Sequence, residues 1–242
     1  MFLFASSFQF FKKRHHILLV LLNGLSLRYF MLGESAQMAI GDGLSFCVNI
    51  SKRLMLSRYM LFLQNFSYQP KDALSLKIKA RAFASQNEMI IRDTRVSNSY
   101  IEYDISIPDK REVREVANIF RDIGAYASSY HVVERKREKK DGVTEAIIFF
   151  NDEKYWIAHE ILESIWKGSR GVEKELLGGT ILVCAAFVHF QKDEVEIGIS
   201  ILTRALNKLK NVNGLYFQMD VDKLKISVYD SIKNGKAEPF QI

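Results

Sequence analysis

The sequence predicts an α+β protein: a ferredoxin-like βαββαβ domain, then an all-helical bundle domain, with a poorly structured N-terminal extension in front. Three observations carry this. Over residues 58–135 apolar side chains alternate with period two or bunch into short strand-type runs. Over residues 143–242 they recur at helical spacing between short joins. Over residues 1–57 neither period is sustained.

The elements follow in order. Tyr59-Met60-Leu61-Phe62-Leu63 is a strand-type run that ends at Gln64-Asn65. Pro70 and Asp72 open a helix over Ala73–Gln86, where Ala content outweighs a competing alternation of Leu74, Leu76, Ile78 and Ala80. Met89–Arg92 and Tyr100–Ile107 read as strands. In the second, Ile101, Tyr103, Ile105 and Ile107 share one face, which leaves Glu102, Asp104 and Ser106 for solvent. Asp109 and Glu112 form a capping-box pattern ahead of the stripe Val113, Val116, Ala117 and Phe120, with Gly124 as a stop. Tyr126–Val133 closes the βαββαβ order.

Glu134–Gly142 holds five basic and three acidic residues and no apolar side chain, so it reads as a solvated linker centred on 136–142. Beyond it, helices are expected from Thr144–Phe150, Lys154–Lys167, Leu176–Gln191 and Ile197–Leu209. Asp220 caps a last helix over Val221–Ile232, and the chain leaves through Pro239-Phe240. Gly178-Gly179 in the uncharged third helix would admit a close neighbour.

Composition narrows the function classes. Of 242 residues 48% are hydrophobic and 26% charged, against 3 Pro and 13 Gly, which excludes a disordered or collagen-like chain. Cys47 and Cys184 are too few for a disulfide framework or a four-Cys zinc site and suit a reducing, cytoplasmic compartment; Cys184 reads as an inert small hydrophobe. The net charge of +6 invites a nucleic-acid reading. Residues 1–60, however, carry seven Lys/Arg and two acids, whereas residues 61–242 carry 27 basic and 26 acidic side chains. The excess therefore belongs to the extension. That segment reads as a start-site extension, since five of the seven methionines lie at or before position 60. Two alternatives are a membrane tether through residues 1–30 and a helical packing element. The uncharged run His15–Leu27 is too short to span a bilayer, and no transmembrane helix is expected. Leu61–Phe66 also looks like the first RNA-contacting strand motif of RNA-recognition domains, but Glu102 and Asp104 on the solvent face would repel phosphate.

One constellation stands out: Phe149-Phe150-Asn151, then Ala158-His159-Glu160-Ile161-Leu162-Glu163 with Trp166, then Leu177-Gly178-Gly179 and His189. It resembles the small all-helical family catalogued as domain of unknown function 309, marked by an H-E-x-x-E-x-x-W helix. The resemblance covers residues 143–242 and includes Asp220-Val221-Asp222 and the terminal Pro-Phe-x-Ile. Gly178 and Leu182 depart from it, standing where glutamines are common. The resemblance implies a helical fold and brings no activity.

On a helix His159, Glu163 and Trp166 share a stripe with Glu160 beside it. Such a cluster is a ligand-binding or structural polar site at His159, Glu160, Glu163, Trp166 and His189, since His and Glu residues in bundles usually satisfy one another. The function expected is a non-catalytic module that binds a ligand or a protein partner, with the α/β domain as regulator or homo-oligomerisation element. The alternative is a metal-dependent hydrolase, a divalent transition metal held by His159, Glu163 and His189 with Glu160 as base. A nucleic-acid-associated factor comes third.

Overall fold

In the computed structural model the described residues are 17–22, 25–32, 35–39, 45–48, 55–236 and 238–242. Leu56–Ile242 forms one compact unit and the N-terminal segment another.

The N-terminal unit, expected to be poorly structured, carries an antiparallel meander of β1 (Ile17–Leu22), β2 (Leu25–Leu32), β3 (Ser35–Ala39) and β4 (Ser45–Val48). Leu22 pairs with Leu25, and the residues between them in sequence are Asn23-Gly24, the pair most favoured in two-residue hairpin loops. That turn signal outweighs the irregular period on either side. Residues 1–16 of the 1–30 stretch on which the membrane-tether reading rests lie outside the described residues, and the rest of it contributes β1 and the first part of β2.

The second sheet is built from β5 (Leu56–Gln64), β6 (Ile90–Val96), β7 (Tyr100–Pro108) and β8 (Tyr126–His131) in the order β6-β7-β5-β8, every neighbour antiparallel. Helices α1 (Ala73–Ser85) and α2 (Val113–Ala117) complete the ferredoxin-like βαββαβ arrangement. Period-two alternation divides the sheet as it should. Leu61 and Leu63 of β5 join Ile101, Tyr103 and Ile105 of β7 in a buried cluster with Leu76, Ala80, Val116 and Phe120. Each buried Leu, Ile, Val or Phe among them contributes about 1.5–3 kcal/mol by leaving water. Gly124 is needed for more than a stop, because a Cβ there would lie 2.3 Å from the Gln64 carbonyl oxygen. The capping box at Asp109 does not form. Asp109 instead accepts from the Ser57 hydroxyl at 2.8 Å, and Glu112 is the residue at the helix start. At the head of α1 the reciprocal cap runs between Gln69 and Asp72, through a short turn of 3-10 helix over Pro70–Asp72.

The opposite face corrects the sequence reading. Glu102 and Asp104, expected in solvent, are each only 3% exposed. Alternation places them correctly on the face away from α1, but that face is covered by helices. Met60 and Phe62 belong to the same buried cluster as Ile157, Ile161 and Phe187. The charges tolerate burial because they are paired. Arg58 grips Asp104 through two nitrogens at 2.9 and 2.6 Å, and Arg95 pairs with Glu102. With Phe62 1% exposed, this face offers no platform for base stacking, which removes the structural basis of the RNA-motif reading.

The helical half comprises α3 (Lys139–Asn151), α4 (Tyr155–Trp166), α5 (Gly171–Phe190), α6 (Val195–Leu209) and α7 (Val221–Asn234). A two-residue hairpin, β9 (Leu215–Tyr216) with β10 (Met219–Asp220), precedes α7 and was not anticipated. Asp220 caps α7 as expected, its side chain accepting from the amides of Asp222 and Lys223. Gly179 permits a close helix approach: a Cβ there would lie 2.6 Å from Leu209 Cγ on α6. Cys184 is fully buried, and burial pushes its thiol pKa up, in keeping with an inert apolar role. No helix among the described residues is long and apolar enough to cross a membrane. The charged run is not wholly free: α3 begins at Lys139, and Arg137 donates to Glu145 and to the Tyr130 hydroxyl, each at 2.7 Å.

Candidate functional site

Helix α4 positions the cluster. Its buried face is Tyr155, Ile157, Ala158, Ile161, Leu162 and Ile165, fixed by the 3.6-residue period. That leaves His159, Glu160 and Glu163 on the flank, where one donor atom of each lies within 4.8 Å of the others. His159 Nδ1 lies 3.3 Å from the Ile181 carbonyl oxygen of α5. A carbonyl only accepts, so Nδ1 carries the proton of this contact and Nε2 faces Glu163, 3.6 Å away. Glu163 is also 3.4 Å from Lys167, so the two ends of its carboxylate meet different partners.

Glu160 and Glu163 open onto a cleft of about 300 Å³ between α4 and the segment that follows β8. Tyr130, Arg135, Arg137, Trp156 and Lys167 complete its wall. Arg58, on the sheet beneath, holds its proton more firmly than usual through its hydrogen bond to Asp104, opposed by burial and aided by the fields of Asp104 and Glu160. The cleft therefore carries both signs of charge on each side: Glu160, Glu163 and Lys167 at α4, and Glu134, Arg135 and Arg137 on the segment opposite.

The remaining sequence-picked residues lie elsewhere. Trp166 donates Nε1–H to the Lys174 carbonyl at 3.1 Å and lies under the Lys174 ammonium, 4.8 Å from the ring centroid. It fastens the end of α4 to the start of α5. His189 does not join His159: it stands eight residues beyond Ile181 on α5, about 12 Å along the axis at 1.5 Å per residue. There it bonds Glu194 across the turn into α6. Burial works to raise the Glu194 pKa, but the bond from His189 and the nearby Lys192 outweigh it and hold the carboxyl below its usual range. A ligand set of His159, Glu163 and His189 is thus not assembled; the third donor beside His159 and Glu163 is Glu160.

Sequence reasoning missed Arg135 and Arg137, which were assigned to a solvated linker. The one available signal was their place next to the end of a strand bearing Tyr130, whose hydroxyl accepts from Arg137 and whose ring lies under Arg135.

These features define a helical lobe carrying a flank cluster of His and Glu, seated on a ferredoxin-like sheet. Residues 143–200 match the family model described as Domain of unknown function (DUF309), from the second turn of α3 into α6, with the whole cluster inside the match. The match is shorter than the resemblance expected to reach residue 242. No curated protein matches the chain.

Proposed function

We propose that the protein is a non-catalytic binding module whose recognition site is the cleft at His159, Glu160 and Glu163. The observation that carries this reading is the mixed-charge wall of that cleft, in which Glu160, Glu163 and Lys167 at α4 stand across from Glu134, Arg135 and Arg137. Such a wall recognises a ligand or partner segment bearing both signs of charge, and it favours specificity over raw affinity. The segments 58–135 and 143–242, joined through 136–142, act as platform and recognition lobe respectively. The test is a thermal-shift screen of charged small molecules and peptides on the full chain and on His159→Ala and Glu163→Ala. Both variants should keep the wild-type near-UV circular dichroism and lose a shift that the wild type displays. Gross unfolding of either variant would instead mark the cluster as purely structural.

A second reading is favoured by one contact. Metal-bound histidines characteristically donate their other ring N–H to a carbonyl or carboxylate, as His159 does to Ile181. His159 Nε2 with Glu160 and Glu163 would then hold a divalent metal. In that case Glu160 serves as ligand, which leaves the hydrolase reading without its intended base. Calorimetric titration with Zn²⁺ separates the readings: stoichiometric binding lost in Glu163→Ala supports the metal centre, and its absence leaves the binding module alone.

A further inference from the structure

The cleft beside Glu160 does not end at Glu163. A second cavity, of about 510 Å³, shares Glu134, Arg135, Arg137, Ser164 and Lys167 with it and continues as far as Gly168. Together they make one groove between α4 and the segment that leaves β8. Val132, Val133 and Trp156 line one end of it, and Lys136, Lys139 and Gly168 the other. On the α4 side Trp156, Glu160, Glu163 and Lys167 follow one another at helical spacing, so they form a single stripe along the groove.

The chemistry changes along its length. Around Trp156 the wall is apolar through Val132, Val133 and Ile161, and its charges are the carboxylates of Glu160 and Glu163. Toward Gly168 it is basic through Arg135, Lys136 and Lys167, with Glu134 as the carboxylate where the two cavities overlap. Two further cations at that end are committed: Lys139 reaches Glu173 at 2.9 and 2.8 Å, and Arg137 reaches Glu145 at 2.7 Å. Arg135 and Lys136 are exposed, and Lys167 is 68% exposed although Glu163 lies 3.4 Å away, so these three have room for another partner. A polyanion such as nucleic acid meets repulsion at the Glu160 end, and a polycation meets it at the Lys136 end. Trp, Tyr and Arg dominate the energetics of protein interfaces, and Trp156, Tyr130, Arg135 and Arg137 all line this groove.

The distance between the two ends sets a spacing. Glu160 and Lys167 are seven residues apart on the helix, about 10 Å along its axis at 1.5 Å per residue. An extended chain covers that span in about three residues. An Arg or Lys side chain suits the first end, with its methylenes on the apolar wall and its charged head between two carboxylates. A carboxylate suits the second.

We propose, on the reading that the cleft is the recognition site, that the groove takes an extended segment of a protein partner with an Arg or Lys and an acidic residue about three positions apart. The cation sits at Trp156, Glu160 and Glu163, and the acid at Arg135, Lys136 and Lys167.

Fluorescence anisotropy on the full chain tests this with labelled peptides on one alanine-rich frame. The two positions three apart carry Arg with Glu, two Arg, or two Glu, and the mixed peptide is made in both orders because an extended chain can run either way. One mixed order should bind one to one, and about tenfold or more tighter than the doubly basic and doubly acidic peptides. Lys136→Glu and Lys167→Glu change exposed side chains, so both should keep the wild-type melting temperature. Each should weaken the mixed peptide about tenfold and tighten the doubly basic one. Glu160→Lys should weaken the mixed peptide as much and tighten the doubly acidic one. Equal binding of all charge patterns, no binding at millimolar concentration, or loss of the mixed peptide without the compensating gains would overturn the proposal. If that failure accompanies a charged ligand whose thermal shift depends on His159 and Glu163, the segment falls and the cleft stands. If the thermal-shift screen is silent as well, both fall.

Discussion

The Arg58 guanidinium lies over the Trp156 indole, 4.7 Å from the ring centroid, and so joins the centre of the sheet to the first turn of the helix that carries the His/Glu cluster. Arg95 approaches the same ring at 5.8 Å. One half-buried indole thus covers two arginines whose carboxylate partners, Asp104 and Glu102, are buried. The orientation of α4 on the sheet, and with it the direction in which Glu160 and Glu163 point, depends on this layer.

Trp156→Ala should therefore cost more than lost area alone. Removing a largely covered indole is worth about 3 kcal/mol, with about 1 kcal/mol more from the cation–π contacts. Trp156→Phe should recover most of the area and part of the ring attraction. Urea unfolding followed by far-UV circular dichroism reads both, and equal stability of the Ala and Phe variants would show that the arginines do not use the ring.

Adjacent glycines on α5 should respond differently to the same substitution. A Cβ at position 179 meets Leu209 Cγ at 2.6 Å and Cδ2 at 2.7 Å, buried and without room to retreat. A Cβ at position 178 comes no closer than 3.3 Å, to Trp166 Nε1. Gly179→Ala should lose about 1–3 kcal/mol by overpacking. Gly178→Ala should be near neutral, since relief of about 1 kcal/mol in helix propensity offsets a small adjustment. Thermal melting of the two variants side by side decides it.

Asp220→Ala tests the last helix. Asp220 Oδ1 accepts from Asp222 N at 3.2 Å and Lys223 N at 3.1 Å. Its loss should cost about 1 kcal/mol, and Asp220→Asn should cost less. Equal melting temperatures for wild type and Asp220→Ala would mean that solvent satisfies those amides as well as the side chain does.

How far the sequence reaches can be judged from particular residues. Asp220 and the stripe of α4 are local features, decided by neighbours within a turn, and both were legible. The βαββαβ order was legible because each strand repeats its period over several residues. Glu102 was read onto the right face but into the wrong medium, because period two says which side chains share a face and nothing about what covers it. The covering residues, Trp156 and Ile157, lie more than 50 positions away. His189 was grouped with His159 by residue type, whereas eight residues of helix keep it from the ring that contacts Ile181. Arg137 was read as solvated because no local rule predicts that Tyr130 and Glu145 converge on it.

The pH dependence of stability should carry two limbs of opposite sign. Burial raises the Glu102 pKa, and it outweighs the lowering from Arg95. For Asp93, burial again acts to raise the pKa, but the Lys77 hydrogen bond and the fields of Arg95 and Lys192 outweigh it and lower the value. A raised carboxyl binds its proton more tightly when folded, so its ionisation opposes folding and stability is regained as pH falls through the folded value. A lowered carboxyl binds its proton more tightly when unfolded, so its stabilisation is complete above the unfolded value, about 3.9 for Asp, and is lost as pH falls below it. From pH 7 downward, the Glu102 limb comes first and the Asp93 limb second. Glu102→Gln should flatten the first limb, while Asp93→Asn should shrink the second and move the first to lower pH, because the field of Asp93 helps to raise the Glu102 pKa. Urea unfolding free energies between pH 7 and pH 3 (both approximate bounds set by the carboxylate range) measure the two slopes. A Glu102→Gln profile parallel to wild type throughout would place the proton of the buried Arg95–Glu102 pair outside that window and sink the first limb, while the Asp93 limb would stand on its own.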